Sequence, residues 1–208
     1  MEQPFLLCVG RSLDGPCGYW VANLVRIRSI SSVDIVGNGD VTLPIQPALP
    51  DIEFVFQIRI DFKERVTLLP ATPQGTRTWV PPVAGTVVGP RLNGRVIPYS
   101  GGDYARGRPD GVLELEAHYM IEADDGAHIY IHNTGYLYGR LEDGKPVSLA
   151  ERERRGFVVY PSTYFATTPR FDAPVGPHEW LTRTVIFARG QRFMDPDYSI
   201  FDYFAVVM

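Results

Sequence analysis

Glu116 and His118 stand two residues apart in the run 112–122, where apolar and polar side chains alternate. In an extended strand, successive side chains point to opposite faces. Leu113, Leu115, Ala117, Tyr119 and Ile121 therefore share one face, and Glu114, Glu116, His118 and Met120 share the other. A carboxylate and an imidazole side by side suit general acid/base work if their face lines a cavity. On an outer face the same pair is a solvated charge cluster. The following strand places His128, Tyr130 and His132 on a single face. Strand-spaced imidazoles bind zinc only when a third ligand converges from elsewhere. No compact ligand set such as His-Glu-x-x-His or paired Cys-x-x-Cys is present. No metal site is expected, and packing or solvent-facing histidines are the simpler reading. Tyr130 draws more interest, because a phenol can bury its ring and still direct a hydrogen bond.

A second concentration of special residues is Gly85-Thr86-Val87-Val88-Gly89-Pro90-Arg91-Leu92-Asn93-Gly94. Glycine permits close approaches and unusual backbone angles, and proline fixes φ. The run is read either as a sharp corner in a sheet or as a bend that aims Arg91 and Asn93 at a bound small molecule. Nucleophile and phosphate motifs are absent: there is no Gly-x-Ser-x-Gly elbow, no P-loop, and no Gly-x-Gly-x-x-Gly turn. Any catalysis is therefore expected to run on proton transfer and positioning.

The elements that must hold these residues are strands. Candidates lie at 19–28, 53–62, 76–80, 86–89, 112–122, 127–133, 157–160, 164–170, 181–189 and 200–207. They are rich in Val, Ile, Tyr, Phe and Thr and bounded by Gly, Pro and Asp. Asp124-Asp125-Gly126 predicts a tight reversal, and a second is expected at Asn133-Thr134-Gly135. The only helix expected is short, from Ser148 to Arg155, with a capping box at its start and Gly156 as its stop. Many short strands favour a closed barrel or a sandwich. The barrel is preferred, since closure removes edges and creates an interior pocket. Residues 1–50 differ in texture and end in the proline-spaced stretch 43–50, read as an N-terminal extension or arm ahead of a barrel domain at 51–208.

The 208 residues suit one well-buried domain. A net charge of −4 argues against a nucleic-acid partner, which calls for a basic patch or stripe. Cys8 and Cys17 are expected as free thiols rather than a disulfide scaffold. The start lacks the basic region of a signal peptide, and no apolar run reaches the length of a membrane helix. A cytoplasmic, soluble protein with no membrane partner is expected.

Five segments together resemble the domain-of-unknown-function family 3237. They are 85–94, then Arg108-Pro109-Asp110-Gly111, then Asp124-Asp125-Gly126-Ala127 with Ile129-Tyr130, then Tyr164-Phe165-Ala166-Thr167-Thr168-Pro169-Arg170-Phe171, and last Trp180-Leu181-Thr182-Arg183. The resemblance runs from Glu53 to Val207 and implies an all-β fold, a single antiparallel calycin-like β-barrel that often self-associates into a homo-oligomer. Some relatives resemble accessory proteins of fungal polyketide pathways, where an oxygen heterocycle is closed onto a prenyl-type alkene by intramolecular hydroalkoxylation. The resemblance thus implies a cofactor-independent cyclase acting on an aromatic, polyketide-like small molecule. Arg91, Asn93, Arg108, Asp110, Tyr130, Arg170 and Arg183 match the family's motifs, and Tyr164, Phe165 and Trp180 offer stacking surfaces. Ala166, Thr182 and His118 depart from the family pattern, as does Tyr99-Ser100 after Pro98.

On this reading Glu116 and Asp110 are the acid candidates, and His118 or Tyr130 manages the phenol. Arg91 and Arg183 polarise a carbonyl or phenolate, and Asn93, Tyr164, Arg170 and Trp180 complete the binding set. The structural alternative pairs Arg91 or Arg183 with Asp110 or Glu116 in a buried network. It also makes 108–111 a turn whose aspartate bonds nearby backbone. The rival function is a non-catalytic barrel that carries a small molecule.

Overall fold

The computed structural model describes residues 49–63, 65–139, 147 and 163–208. The expectations for Cys8 and Cys17, the strands at 19–28 and 157–160 and the helix at 148–155 lie outside these residues. So does the extension at 1–50, apart from its last two positions.

Alternation of buried and open positions builds the strands. In β1 (Asp51–Phe62), Phe56, Ile58 and Ile60 are buried, while Gln57 and Arg59 between them are only partly so. A register shift between Phe54 and Phe56 interrupts this alternation and turns the adjacent Val55 and Phe56 both inward. Downstream come β2 (Val66–Thr72), β3 (Gly75–Trp79), β4 (Pro82–Val88), β5 (Gly94–Val96), β6 (Gly102–Asp103) and β7 (Arg106–Gly107). The long strands β8 (Leu113–Ala123), β9 (His128–Gly139), β10 (Thr163–Asp172), β11 (Ile186–Met194) and β12 (Asp197–Val207) follow.

The sheet closes on itself. Its order β8-β5-β4-β1-β12-β11-β10-β9 returns to β8 through the β8–β9 pairing, making an eight-stranded antiparallel barrel. One edge of β8 is shared in succession by β5, β6 and β7. The β2–β3 hairpin attaches through β7. The closed barrel is thus the one expected from the strand pattern and from the family resemblance.

The reversal at Asp124-Asp125-Gly126 is present: Gly126 N–H donates to the Ala123 carbonyl at 2.8 Å, and Asp125 Oδ1 accepts from Ala127 N–H at 3.1 Å. The reversal expected at Asn133-Thr134-Gly135 is not. β9 runs straight through these residues, with Gly135 paired to Leu115 on one side and Thr167 on the other. A Cβ on Gly135 would stand 2.2 Å from the Ala166 carbonyl oxygen, so this glycine serves close strand approach. The strand expected at 181–189 also begins later, because Glu179–Thr182 forms a short 3₁₀ turn that buries Leu181.

Inside, the barrel divides into two parts. Phe56 stacks on Tyr203 at 4.7 Å between centroids and meets Phe171 and Trp180 edge-on at 6.1 and 6.4 Å. Fully burying one such ring contributes about 1.5–3 kcal/mol, and this aromatic plug fills one part. The other part is left as a cavity.

Candidate functional site

The strands that fill the plug also wall the cavity. On β8, Leu113, Leu115, Ala117 and Tyr119 line it, and on β12 Ser199 and Phe201 do so. Its walls are mainly apolar, with a free volume of about 60 Å³. That is room for roughly four to six waters.

A few polar groups converge on this wall: Asp103, Asn133, Thr167, Arg192, Ser199 and Arg65. Asp103 sits on β6, held by two backbone bonds to Val80 at 2.9 and 3.0 Å. Its Oδ1 accepts from the Glu116 backbone N–H at 3.0 Å. Burial is the main cause that pushes its carboxyl up to about 6, against the backbone bond from Glu116 and the nearby charges of Arg65 and Arg192. Arg192, with only 7% of its side chain exposed, pairs with Asp197. Its guanidinium lies 4.7 Å from the Phe62 ring centroid, and Nη1 stands 3.5 Å from Ser199 Oγ. Burial draws the Arg192 pKa down, and Asp197 opposes the shift.

Two further cavity groups, Asn133 Oδ1 and Thr167 Oγ1, are enclosed and meet no hydrogen-bonding atom among the described residues. Asn133 Nδ2 and Tyr119 Oη each stand 3.5 Å from Tyr203 Oη, linking cavity to plug. Burial raises the pKa of both phenols, so they remain neutral donors. A mainly apolar lining with a few convergent polar groups and a perturbed carboxyl has the chemical character of a small-molecule site, at a volume that fits only a small group.

Of the residues expected from the sequence, Phe165 lines the cavity and the others sit elsewhere. Glu116 is exposed and His118 half-buried on the outer face of β8, so the interior placement is overturned. The reason is phase: the apolar set Leu113, Leu115, Ala117, Tyr119 takes the inside. Tyr130 lies on the same outer face, its hydroxyl bonded to His118 Nδ1. Asp110 sits in an exposed turn, bonded by Arg108 and by the Val112 N–H at 3.2 Å, as the turn reading anticipated. It does not line the cavity.

The binding set is likewise dispersed. Arg91 lies over the Trp180 ring at 3.7 Å and pairs with Glu53 at 3.7 Å. Arg183 pairs with Glu179 at 3.2 Å. Both arginines are therefore ion-paired, though with neither Asp110 nor Glu116. Asn93 points back into its own loop: Nδ2 donates to the Gly89 carbonyl at 3.0 Å and Oδ1 accepts from Gly89 N–H at 3.1 Å. The 85–94 run is thus a corner that Asn93 clamps. Tyr164 stacks on Tyr138 at 4.9 Å. Arg170 is exposed on β10 opposite His132.

Asp103, Arg192, Asn133 and Thr167 were missed, yet the first three had a trace in the sequence. Asn133 continues the phase of Ile129 and Ile131, opposite the face that carries His128, Tyr130 and His132. Arg192 continues the phase of Ile186, Ala188 and Gly190. Asp103 follows Gly101-Gly102, where a Cβ at 102 would stand 2.1 Å from Trp79 Nε1. A glycine required for close packing before a lone acid marks an aimed side chain.

One outer-face arrangement could hold a cation. A ligand atom from each of Glu116, His118 and His132 lies within 4.8 Å of the others. His118 and His132 are directly opposed across β8 and β9, with rings stacked at 4.0 Å. Burial, then the neighbouring His118, holds the His132 pKa below the ordinary imidazole value.

Comparison with known proteins places this geometry in context. A family model described as "Protein of unknown function (DUF3237)" matches residues 50–206. A UPF0311 protein of Rhodopseudomonas palustris is 36% identical over 122 residues, covering 58% of this chain and 75% of the relative. Among solved structures, a protein of unknown function from Clostridium acetobutylicum superposes with a TM-score of 0.66 at 28% identity, covering 77% of this chain and 99% of the other. An enzyme from Penicillium herquei shares the fold at a TM-score of 0.56 and 17% identity, covering 79% of this chain and 99% of that one.

Proposed function

This chain belongs to the DUF3237 family, and on that footing we propose that its barrel cavity hosts a cofactor-independent proton-transfer reaction with Asp103 as the acid. The reaction class is ring closure of a prenylated phenol by intramolecular hydroalkoxylation. The observation that carries the proposal is a carboxyl facing an apolar cavity beside a buried guanidinium. The acid role passes from Glu116 and Asp110, which face solvent, to Asp103.

The free volume sets what enters. About 60 Å³ admits the branched end of a prenyl-type alkene, while a polycyclic ring system stays at the mouth. Asp103 gives its proton to the less substituted alkene carbon. The phenol oxygen captures the tertiary cation, and the phenol proton returns to Asp103, so substrate and product are isomers. An acid with a pKa of about 6 is poised near neutral pH for both halves of this cycle. Asn133 Oδ1 and Thr167 Oγ1, which lack partners among the described residues, are placed to fix the entering group. The Penicillium herquei enzyme supports the reading only at the level of fold, as an enzyme built on this barrel.

The test incubates the purified protein with an open-chain prenylated phenol whose cation-forming carbon bears two different alkyl groups, so that closure creates a stereocentre, and resolves the cyclic product by chiral chromatography. Enantioenriched product from the wild type and its loss in Asp103→Asn are expected. A racemic product formed at the rate in buffer overturns the proposal. One observation favours the carrier as second reading: Arg192 is already engaged by Asp197. Saturable binding without turnover would decide for it.

A further inference from the structure

We propose that the outer face of β8 and β9 carries a site for a borderline divalent cation of the Zn²⁺ type, built from Glu116, His118 and His132. The site is separate from the cavity and does not depend on the reaction assigned to it.

Geometry comes first. The three side chains bring one ligand atom each to within 4.8 Å of one another, close enough for small side-chain rotations to gather them round a single ion. Cross-strand pairing fixes them: His118 opposes His132, and Glu116 lies two residues along the same face of β8. Neighbouring strands hold these positions from both sides, β8 against β5, β6 and β7 and β9 against β10. The backbone positions are therefore set before any ion arrives, and the two stacked imidazoles need only turn apart for both lone pairs to converge on it.

The donor set selects the ion. Two imidazoles and one carboxylate suit Zn²⁺, Co²⁺, Ni²⁺ or Cu²⁺, whereas Mg²⁺ and Ca²⁺ favour all-oxygen shells. Three protein ligands leave a fourth position for water or a substrate atom.

Two details are otherwise unexplained. His132 Nε2 is enclosed and meets no hydrogen-bond partner among the described residues, a costly state that coordination would relieve. His118 Nδ1 is bonded to the Tyr130 hydroxyl, which orients the ring and leaves Nε2 for the ion. A hydrogen bond on the far nitrogen is the usual support for a ligating histidine.

Two arginines share this face and oppose a cation there. Arg77 Nη1 lies 3.4 Å from Glu116 Oε2, and Arg170 stands opposite His132 on β10. The Arg77 pair is part-exposed, and such pairs contribute about 0–1 kcal/mol. A cation coordinated by Glu116 displaces it.

Isothermal titration of the chelator-stripped full chain with ZnCl₂, repeated with CoCl₂ under visible absorption, tests the proposal. Binding of one equivalent is expected, with the intense bands of low-coordinate Co²⁺. His118→Gln and His132→Gln should each weaken binding at least tenfold, while His128→Gln on the same strand face leaves it unchanged. Glu116→Gln, a substitution at an exposed site, should also weaken it and serves if a histidine variant fails to fold. Absence of stoichiometric binding in the wild type overturns the proposal. So does binding that survives both Glu116→Gln and His132→Gln, which would place the ion on other groups.

Discussion

The backbone N–H of Glu116 donates to Asp103 Oδ1 at 3.0 Å, while the Glu116 side chain points away from the barrel toward Arg77. One residue of β8 thus fixes the inner carboxylate through its main chain and contributes to the outer cluster through its side chain. Any residue but proline supplies that N–H. The two faces of β8 can therefore be altered separately, and this underlies the choice of variants.

Asp103 ties stability to pH. Its folded pKa of about 6 lies above the ordinary 3.8, so folding disfavours the ionised form. The cost is full above about pH 6, fades as pH falls toward 4, and vanishes below the unfolded value. Converted at 1.36 kcal/mol per pKa unit, it is on the order of 2–3 kcal/mol. Asp103→Asn retains an acceptor for the Glu116 N–H and should be more stable than the wild type at pH 8. Urea unfolding at pH 4 and pH 8 checks this, and a gap that does not change with pH would refute it.

Turnover should follow the protonated carboxyl. With Asp103 as general acid, kcat/KM falls about tenfold per pH unit above its pKa near 6. A pH–rate profile from 5 to 9 reads this directly. A flat profile across that range would remove Asp103 from the acid role.

Asn93 is a clamp of its loop and should behave as one. Asn93→Ala removes two hydrogen bonds to Gly89 on an exposed turn. A loss of about 1 kcal/mol is expected by denaturation, with ligand binding in the cavity unchanged. A large loss of affinity at constant stability would restore the ligand-contact role.

Arg192 and Asp197 should act as a pair. Arg192→Met strips the partner from a partly enclosed carboxylate and should cost about 1–3 kcal/mol. Adding Asp197→Asn to that variant should recover most of the loss. A double-mutant cycle of thermal melts measures the coupling, and strict additivity would show that the pair contributes nothing.

The barrel was legible from the sequence because alternation and turn residues are local signals. β1, β8, β10 and β12 fall within a few residues of their expected limits. The site was less legible because alternation names two faces without saying which is inside. On β8 and β9 the histidines and Glu116 carry the conspicuous chemistry, while their neighbours Tyr119 and Asn133 make the wall. Asp103 lies in a strand of two residues, too short to show any period. The reversal expected at 133–135 failed because Gly135 answers a crowding between strands far apart in sequence. The arginines Arg91 and Arg183 matched family motifs, yet their partners Glu53 and Glu179 are set by packing that no motif spells out.

The pairing of β1 with β12 has a consequence for biosynthesis. Asp51 meets Val207, so the first strand of the ring bonds along one side to the last. On a ribosome, β1 can dock early against β4, through pairs such as Ile60 with Gly85. Its other edge must wait for nearly 150 further residues to be made. During that interval an apolar strand presents open N–H and C=O groups, the condition that invites pairing with a neighbouring nascent chain. The time taken to make the intervening residues, which the finished barrel does not record, then sets how long that edge stays open.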